Sequence, residues 1–184
     1  LQQASENGMS IHLFTDGRYG SFSTNRLDRK ELESFIRNGI DSTRYLAEDK
    51  ARTLPDPALY YKGGGADLQL YDAAFESVHP DDKVGLAMKV CDEIMGKDER
   101  IISAGSSYND GDNLRYMVAS NGFEGEASNT FFSLVGTVSI RGEGDARPES
   151  YWFDSSLYYD TLIKEGIGTK ALERVRRKLG QRKI

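Results

Sequence analysis

Apolar and polar residues alternate from Met9 to Phe14, with Met9, Ile11 and Leu13 on one side and Ser10, His12 and Phe14 on the other. That is the period of a half-buried strand. Asp16-Gly17 follows, a pair suited to the positive φ angles of a two-residue hairpin turn, so Arg18 to Ser23 reads as the returning strand. Asp28 with Glu31 three residues on makes a capping-box-like start, and Leu32, Phe35, Ile36, Ile40 and Thr43 trace one helix face to about Ala47. Leu54-Pro55-Asp56-Pro57 and Gly63-Gly64-Gly65 break any regular period, and residues 48–72 read as a flexible connector. His79-Pro80-Asp81-Asp82 opens a second helix, with Pro80 in the first turn and acids at the positive dipole end. Its expected buried stripe is Val84, Ala87, Met88, Cys91, Ile94 and Met95, ended by Gly96.

From Arg100 to Tyr158 the period becomes 2. Ile101 to Tyr108 reads as a strand, Asn109-Asp110-Gly111-Asp112 as a turn, and Leu114, Tyr116 and Val118 as the inward face of the next strand. Ser120-Asn121-Gly122 turns again. Phe132, Leu134, Val138 and Ile140 mark a long third strand, Gly142 to Asp145 a third turn, and Tyr151 and Phe153 a fourth strand. A last helix from about Ile167 to Leu179 carries Ile167, Ala171, Leu172, Val175 and Leu179 on one face. The order predicts an α+β fold: a mainly antiparallel sheet, hairpin plus four-strand meander, with helices packed on one face. All 184 residues read as one domain.

Composition narrows the classes. Ten Tyr, eight Phe and one Trp are too many for a disordered chain, and no apolar run approaches the ~20 residues of a membrane span. Cys91 is the single cysteine, which forbids an internal disulfide and fits a reducing compartment. His12 and His79 are the only imidazoles, and neither they nor Cys91 stand at a zinc-ligand spacing. The net charge of −5 disfavours nucleic acid as a partner. The sequence opens at Leu1 without a signal-peptide pattern and stops at Ile184 directly after a helix, so a piece of a larger protein is expected.

Each chemical candidate has a plainer structural reading. His12 sits mid-strand without nearby partners and reads as a sheet residue; His79 reads as a helix cap, and Cys91 as an inert thiol on an apolar stripe. Gly63-Gly64-Gly65 lacks the strand, the helix start and the lysine of a phosphate loop. Arg174, Arg176, Arg177, Lys178, Arg182 and Lys183 form a basic run that reads as a solvated helix end, with a nucleic-acid patch as the alternative. Asp110 and Asp112 read as solvated turn acids rather than a catalytic pair. Asn129, Phe131, Ser133, Val135, Thr137 and Ser139 form a polar but β-prone strand face that either meets solvent or docks another chain by strand addition.

Six segments taken together resemble the N-terminal domain of the TldD/PmbA family, also labelled modulators of DNA gyrase. They are Asp16 to Thr24 (DGRYGSFST), Asp67 to Asp72 (DLQLYD), Lys83 to Ala87 (KVGLA), Asp98 to Ile101 (DERI), Ser120 to Gly125 (SNGFEG), and Ile167-Gly168 through Leu179 to Ile184 (LGQRKI). Arg44-Tyr45 leading into Leu54-Pro55-Asp56-Pro57, the 67–72 segment and the closing LGQRKI favour the PmbA/TldE-like branch. The resemblance implies a cytoplasmic, zinc-dependent peptidase system of two subunits, in which a C-terminal domain absent from this sequence bears the HExxxH motif on TldD-like chains. Zinc is expected in the complete family assembly and none on this chain, so no catalytic residue or metal ligand carries over. What carries over is a lobe that shapes peptide access and contacts a TldD-like or identical subunit, with unfolded peptide as substrate and no membrane partner. Tyr108, Ser120, Asn121, Phe123, Phe131 and Ser133 are the candidate contact residues. A gyrase-modulating or nucleic-acid-associated module is the alternative.

Overall fold

The computed structural model describes residues 1–63 and 66–181, and the chain divides into two compact units. One comprises Gln2–Gly64 with Val118–Glu124; the other comprises Gly65–Met117 and Gly125–Ile184, with Leu1.

In the first unit, β1 (Met9–Thr15) pairs antiparallel with β2 (Arg18–Thr24), from Met9 opposite Thr24 to Thr15 opposite Arg18. Asp16 and Gly17 both take positive φ, 51° and 70°, so the turn has the form its sequence predicts. Helix α1 (Arg29–Thr43) starts where Asp28 accepts the Glu31 N–H at 3.0 Å. It lies on the Leu13/Gly20/Phe22 side of the hairpin. A Cβ on Gly39 would stand 3.0 Å from Leu13, and one on Gly20 would run into the Phe22 ring and the Thr43 hydroxyl. Thr43, fully buried, satisfies that hydroxyl by donating to the Gly39 carbonyl at 2.7 Å. The chain then folds back: the Asp49 N–H donates to Gly17 O at 2.8 Å, Arg18 Nε to Leu46 O at 2.9 Å, and the Arg52 guanidinium lies 4.7 Å from the Tyr19 ring centre.

The second unit is a three-stranded antiparallel sheet in the order β3-β4-β5, made by β3 (Ile101–Val118), β4 (Glu124–Ile140) and β5 (Glu149–Ser156). The α+β class holds, but the meander has three strands where four were expected. Asn109 to Asp112 does not turn. Asp110 points to the helix side, where Lys83 Nζ meets its carboxylate at 2.6 Å and the Tyr108 hydroxyl donates to it at 3.1 Å. Gly111 lies under the Phe131 ring, where a Cβ would stand 2.5 Å from the ring edge. Both turn-prone residues are thus spent on tertiary contacts, and β3 runs straight through. Leu114, Tyr116 and Val118, expected inward, are exposed by 67, 58 and 64%.

Helices α2 (Pro80–Asp92) and α3 (Ile167–Arg176) cover one face of this sheet. Val78, Val90, Phe132, Leu134, Leu162 and Ile167 form one core cluster; Ile94, Val138, Ile140, Ala171, Leu172 and Val175 form another. The α3 stripe is the one its sequence predicts. The α2 stripe is so only in part: Ile94 is buried and Ala87 and Cys91 half-buried as expected, but Leu86 and Val90 turn inward as well, while Val84, Met88 and Met95 are exposed. The cause is a close approach at Val90. Its side chain fills the space a Cβ on Gly136 would take, and its carbonyl lies against Gly168, which fixes the rotation of α2 about its axis.

Residues 48–72 contain no strand or α-helix among the described residues; Gly64 and Gly65 of the glycine run lie outside them. The segment is tied at several points. Asp56 accepts the Ala58 N–H at 2.8 Å, opening a single 3-10 turn at Pro57–Leu59. Asp72, nearly buried, donates its N–H to Thr130 Oγ1 at 2.9 Å and accepts the Tyr159 N–H at 2.8 Å.

Candidate functional site

The two histidines and the thiol have structural partners. His12 Nδ1 lies 2.6 Å from the Tyr19 hydroxyl on the open side of the hairpin, and His79 caps α2, its Nδ1 accepting the Asp81 N–H at 3.4 Å. Cys91 Sγ sits 3.2 Å from Ser106 Oγ between α2 and β3. Among the described residues no three His, Cys, Asp or Glu side chains converge as a metal-ligand set, so the residues present do not fit a zinc ion. A wide, shallow hollow of about 1020 Å³ opens between residues 5–10 and 23–26, but its Arg26 is engaged by Glu31 at 3.7 Å.

The acids and bases serve as braces. The Glu93 carboxylate receives the N–H groups of Gly166 and Gly168 at 2.8 Å and Thr169 at 3.3 Å, filling the positive end of α3 with a negative group. Asp98 is held by Arg100 through two side-chain bonds, 2.9 and 2.8 Å, and by Arg176 at 2.8 Å; these hold its carboxyl well below the usual carboxylate range. Tyr108 is pushed up, first by burial and then by the Asp110 carboxylate beside it, so its hydroxyl stays protonated and donates. The basic run is largely committed as well. Lys170 and Arg174 stand over the Trp152 ring at 5.3 and 5.1 Å, Arg176 binds Asp98 and the Lys97 carbonyl, and Lys178 donates to the Glu149 carbonyl. Arg182 and Lys183 lie outside the described residues.

The structure distributes the six expected contact residues over three places. Ser120, Asn121 and Phe123 belong to the β3–β4 hairpin tip, within the first unit. There Asn121 accepts from the Tyr60 hydroxyl at 2.7 Å and donates to the Pro55 carbonyl at 2.8 Å, and Phe123 packs on the Tyr60 ring at 4.9 Å. Tyr108 faces the helices. Phe131 and Ser133 lie on the opposite, open face of the sheet, so Tyr108 does not join them. Between Phe132 and Ser139, β4 is the central strand and both of its hydrogen-bonding edges are taken, so there an incoming chain meets its face; strand addition is left to the outer edges of β3 and β5 and to the part of β4 that precedes Phe132.

That open face is built in three rows. On β4 it carries Phe131, Ser133, Val135, Thr137 and Ser139, alternating with the buried Phe132, Leu134, Gly136, Val138 and Ile140. On β5 the register sets Ser155, Phe153 and Tyr151 opposite Ser133, Val135 and Thr137. On β3, Ser103 meets Ser139 through its hydroxyl at 2.7 Å, Gly105 abuts Thr137, Asn109 donates to Ser107, and Gly111 lies under Phe131. None of these thirteen positions carries a charge; Glu149, opposite Ser139, and Arg115, further along β3 in the same phase, are charges beyond its ends. Of these two rows the sequence places only Ser107 near the β4 face and reads Tyr151 and Phe153 as a separate strand; the rest of the β3 row is missed because the expected turn at 109–112 hid the continuity of β3. The signal was present as an unbroken alternation of uncharged residues at 103, 105, 107, 109 and 111.

Residues 73–179 match the model of the PmbA/TldA metallopeptidase central domain. The chain is 24% identical over 181 residues to metalloprotease PmbA of Escherichia coli O157:H7, covering 98% of this chain and 40% of that protein. A solved structure from Bacteroides thetaiotaomicron VPI-5482, a candidate modulator of DNA gyrase, superposes with a TM-score of 0.96 at 65% identity. It covers all of this chain and 42% of its own. TldE from Thermococcus kodakarensis superposes over 92% of this chain and 37% of its own, with a TM-score of 0.70 at 19% identity, a likeness of fold. The chain thus spans about two fifths of the length of the relatives it matches. Among the described residues no helix is long and apolar enough to cross a membrane.

Proposed function

The chain belongs to the PmbA/TldD metallopeptidase family, and on that footing we propose that it is a non-catalytic lobe of a PmbA/TldE-like subunit, working in the cytoplasm by docking other polypeptide. In this reading it shapes the access of an unfolded peptide to a zinc centre carried elsewhere in the assembly, and it contacts a TldD-like or identical subunit.

One observation carries the non-catalytic part: both histidines of the chain are engaged locally, one by Tyr19 and one by the first turn of α2, and among the described residues neither belongs to a group of three metal-ligating side chains. No hydrolytic step is therefore assigned to these residues. The docking part is supported by the uncharged face around Phe131 and Ser133, the surface on which an extended or folded polypeptide loses least on desolvation. The nucleic-acid alternative draws only on the basic run, and Arg174, Arg176 and Lys178 there already have partners within the chain.

The test is to incubate the purified chain with zinc and a labelled unfolded peptide, following both cleavage and fluorescence anisotropy. The reading expects no turnover and a rise in anisotropy that Phe131→Ser weakens. Turnover that disappears in His12→Ala or His79→Ala would overturn it. Filter binding to DNA with a steep inverse dependence on salt would favour the alternative instead.

A further inference from the structure

Asparagine followed by glycine occurs at three places in the chain: Asn7-Gly8, Asn38-Gly39 and Asn121-Gly122. Such a pair is prone to react with itself, because glycine has no Cβ to keep its backbone nitrogen away from the neighbouring side-chain amide. The glycine nitrogen gives its proton to base and bonds to the asparagine Cγ; the Cγ–Nδ2 bond breaks and ammonia leaves. Water then opens the cyclic imide at either carbonyl, giving aspartate or, with the main chain rerouted through the side chain, isoaspartate. Two conditions govern the reaction. The glycine N–H must be free to ionise, and the amide must be free to turn its carbon toward that nitrogen.

The three pairs meet these conditions differently. Asn7-Gly8 precedes β1, exposed and in no helix or strand, and among the described residues nothing hydrogen-bonds the Asn7 amide or the Gly8 N–H. Asn38-Gly39 lies inside α1, where the helix ladder engages the Gly39 N–H and Gly39 is buried against Leu13 and Phe22. Asn121-Gly122 has neither the freedom of the first nor the helix of the second. It sits at the β3–β4 tip with Gly122 exposed, and three hydrogen bonds close it. The Gly122 N–H donates to the Ala119 carbonyl at 3.0 Å, Asn121 Oδ1 accepts from the Tyr60 hydroxyl at 2.7 Å, and Nδ2 donates to the Pro55 carbonyl at 2.8 Å. The first occupies the proton that the attacking nitrogen must lose. The other two fix both polar atoms of the amide under attack. We propose that Asn121-Gly122 is a latent self-modification site, held shut by Tyr60 and the Pro55 carbonyl and opened when the tip leaves them. The change is one-way. An aspartate at 121 has no donor for Pro55 and sets its carboxylate against that carbonyl, acceptor against acceptor. The clasp cannot re-form, so the product records that the tip has opened.

The test is peptide mapping by mass spectrometry, reading the conversion of each asparagine while the 184-residue chain stands in mildly alkaline buffer. It is independent of any docking or cleavage. In concentrated urea all three pairs should convert at similar rates. In the native chain Asn7 should keep close to its urea rate, Asn38 should stay intact, and Asn121 should convert at least about tenfold more slowly than Asn7. Tyr60→Phe removes one bond of the clasp but keeps the ring on Phe123, and should speed conversion at Asn121 about fivefold while leaving Asn7 and Asn38 unchanged. Asn121→Asp, which installs the product, should make the amides of residues 118–124 exchange faster with deuterated solvent. Conversion of native Asn121 as fast as Asn7 overturns the proposal, and so does Tyr60→Phe without effect at Asn121. A rise that Asn38 shares overturns it as well, since the whole unit rather than the tip has then loosened. Native exchange in Asn121→Asp removes the one-way character.

Discussion

The close approach of α3 to α2 turns on one missing methyl group. A Cβ on Gly168 would stand 2.8 Å from Glu93 Cβ and 3.0 Å from Ile94 Cγ1, and closer still to the Val90 carbonyl oxygen. The nearest of these is backbone inside a helix, which cannot swing aside, so Gly168→Ala must lift the start of α3. That movement lengthens the bonds from Gly166, Gly168 and Thr169 to the Glu93 carboxylate. Overpacking costs typically ~1–3 kcal/mol, and weakening the cap adds up to ~1 kcal/mol. Against this, alanine in place of helical glycine gains ~0.5–1 kcal/mol. The net expectation is a loss centred near ~2 kcal/mol, within a range of roughly 0–3.5. Gly85 supplies the internal control: it lies within α2, is exposed, and a Cβ there meets nothing within 4 Å. Gly85→Ala should therefore gain about 0.5–1 kcal/mol. Urea unfolding followed by the fluorescence of Trp152, which packs on both core clusters of this unit, measures both variants. Equal stability of Gly168→Ala and the native chain, with an unchanged slope in urea, would refute the reasoning.

Four further variants use the same assay. Glu93→Gln removes the charge from the carboxylate that receives three N–H groups at the start of α3 and should cost about 1–2 kcal/mol. Asp98 has a folded pKa below its ordinary value of 3.8. Its contribution is therefore complete above that value and fades as pH falls through the lower, folded one. The deficit of Asp98→Asn against the native chain should stay constant from neutral pH to about 5 and narrow only in strong acid; a deficit that closes above pH 5 contradicts the assignment. Lys83→Met strands the Asp110 carboxylate, whose side chain is only 15% exposed, and should cost about 1–3 kcal/mol. Lys89→Met breaks the more exposed pair with Glu165 and should cost clearly less than Lys83→Met.

Where local chemistry decides the backbone, the sequence was readable. Asp16-Gly17 made its turn, Asp28 capped α1, Pro80 opened α2, and the α3 stripe faced the sheet, since each depends on neighbours a few residues away. Where a distant partner decides, it was not. Asn109-Asp110-Gly111-Asp112 is a strong turn signal, yet Lys83 lies 27 positions from Asp110 and Phe131 20 positions from Gly111, and these partners hold the segment extended. The α2 stripe was legible in part for a related reason. Periodicity gave one strip, of which Ile94, Ala87 and Cys91 do turn inward, but it left out Leu86 and Val90, whose rotation is set by the approach of Val90 to the glycines at 136 and 168. Of the candidate contact residues, Phe131 and Ser133 share a face as alternation requires; Tyr108 falls on the other side because the uninterrupted β3 fixes its parity.

The anchoring of the hairpin tip bears on how the protein can be dissected. The tip's Asn121 and Phe123 take their partners, Tyr60 and the Pro55 carbonyl, from a stretch that precedes the family-matched region by more than ten residues. A fragment trimmed to residues 73–179 would keep the loop and discard everything it grips, leaving an unanswered amide and a bare aromatic ring at the end of a long two-stranded arm. Expression boundaries for this region belong upstream of Pro55, and a shorter piece that aggregates would say more about where it was cut than about the sheet it contains.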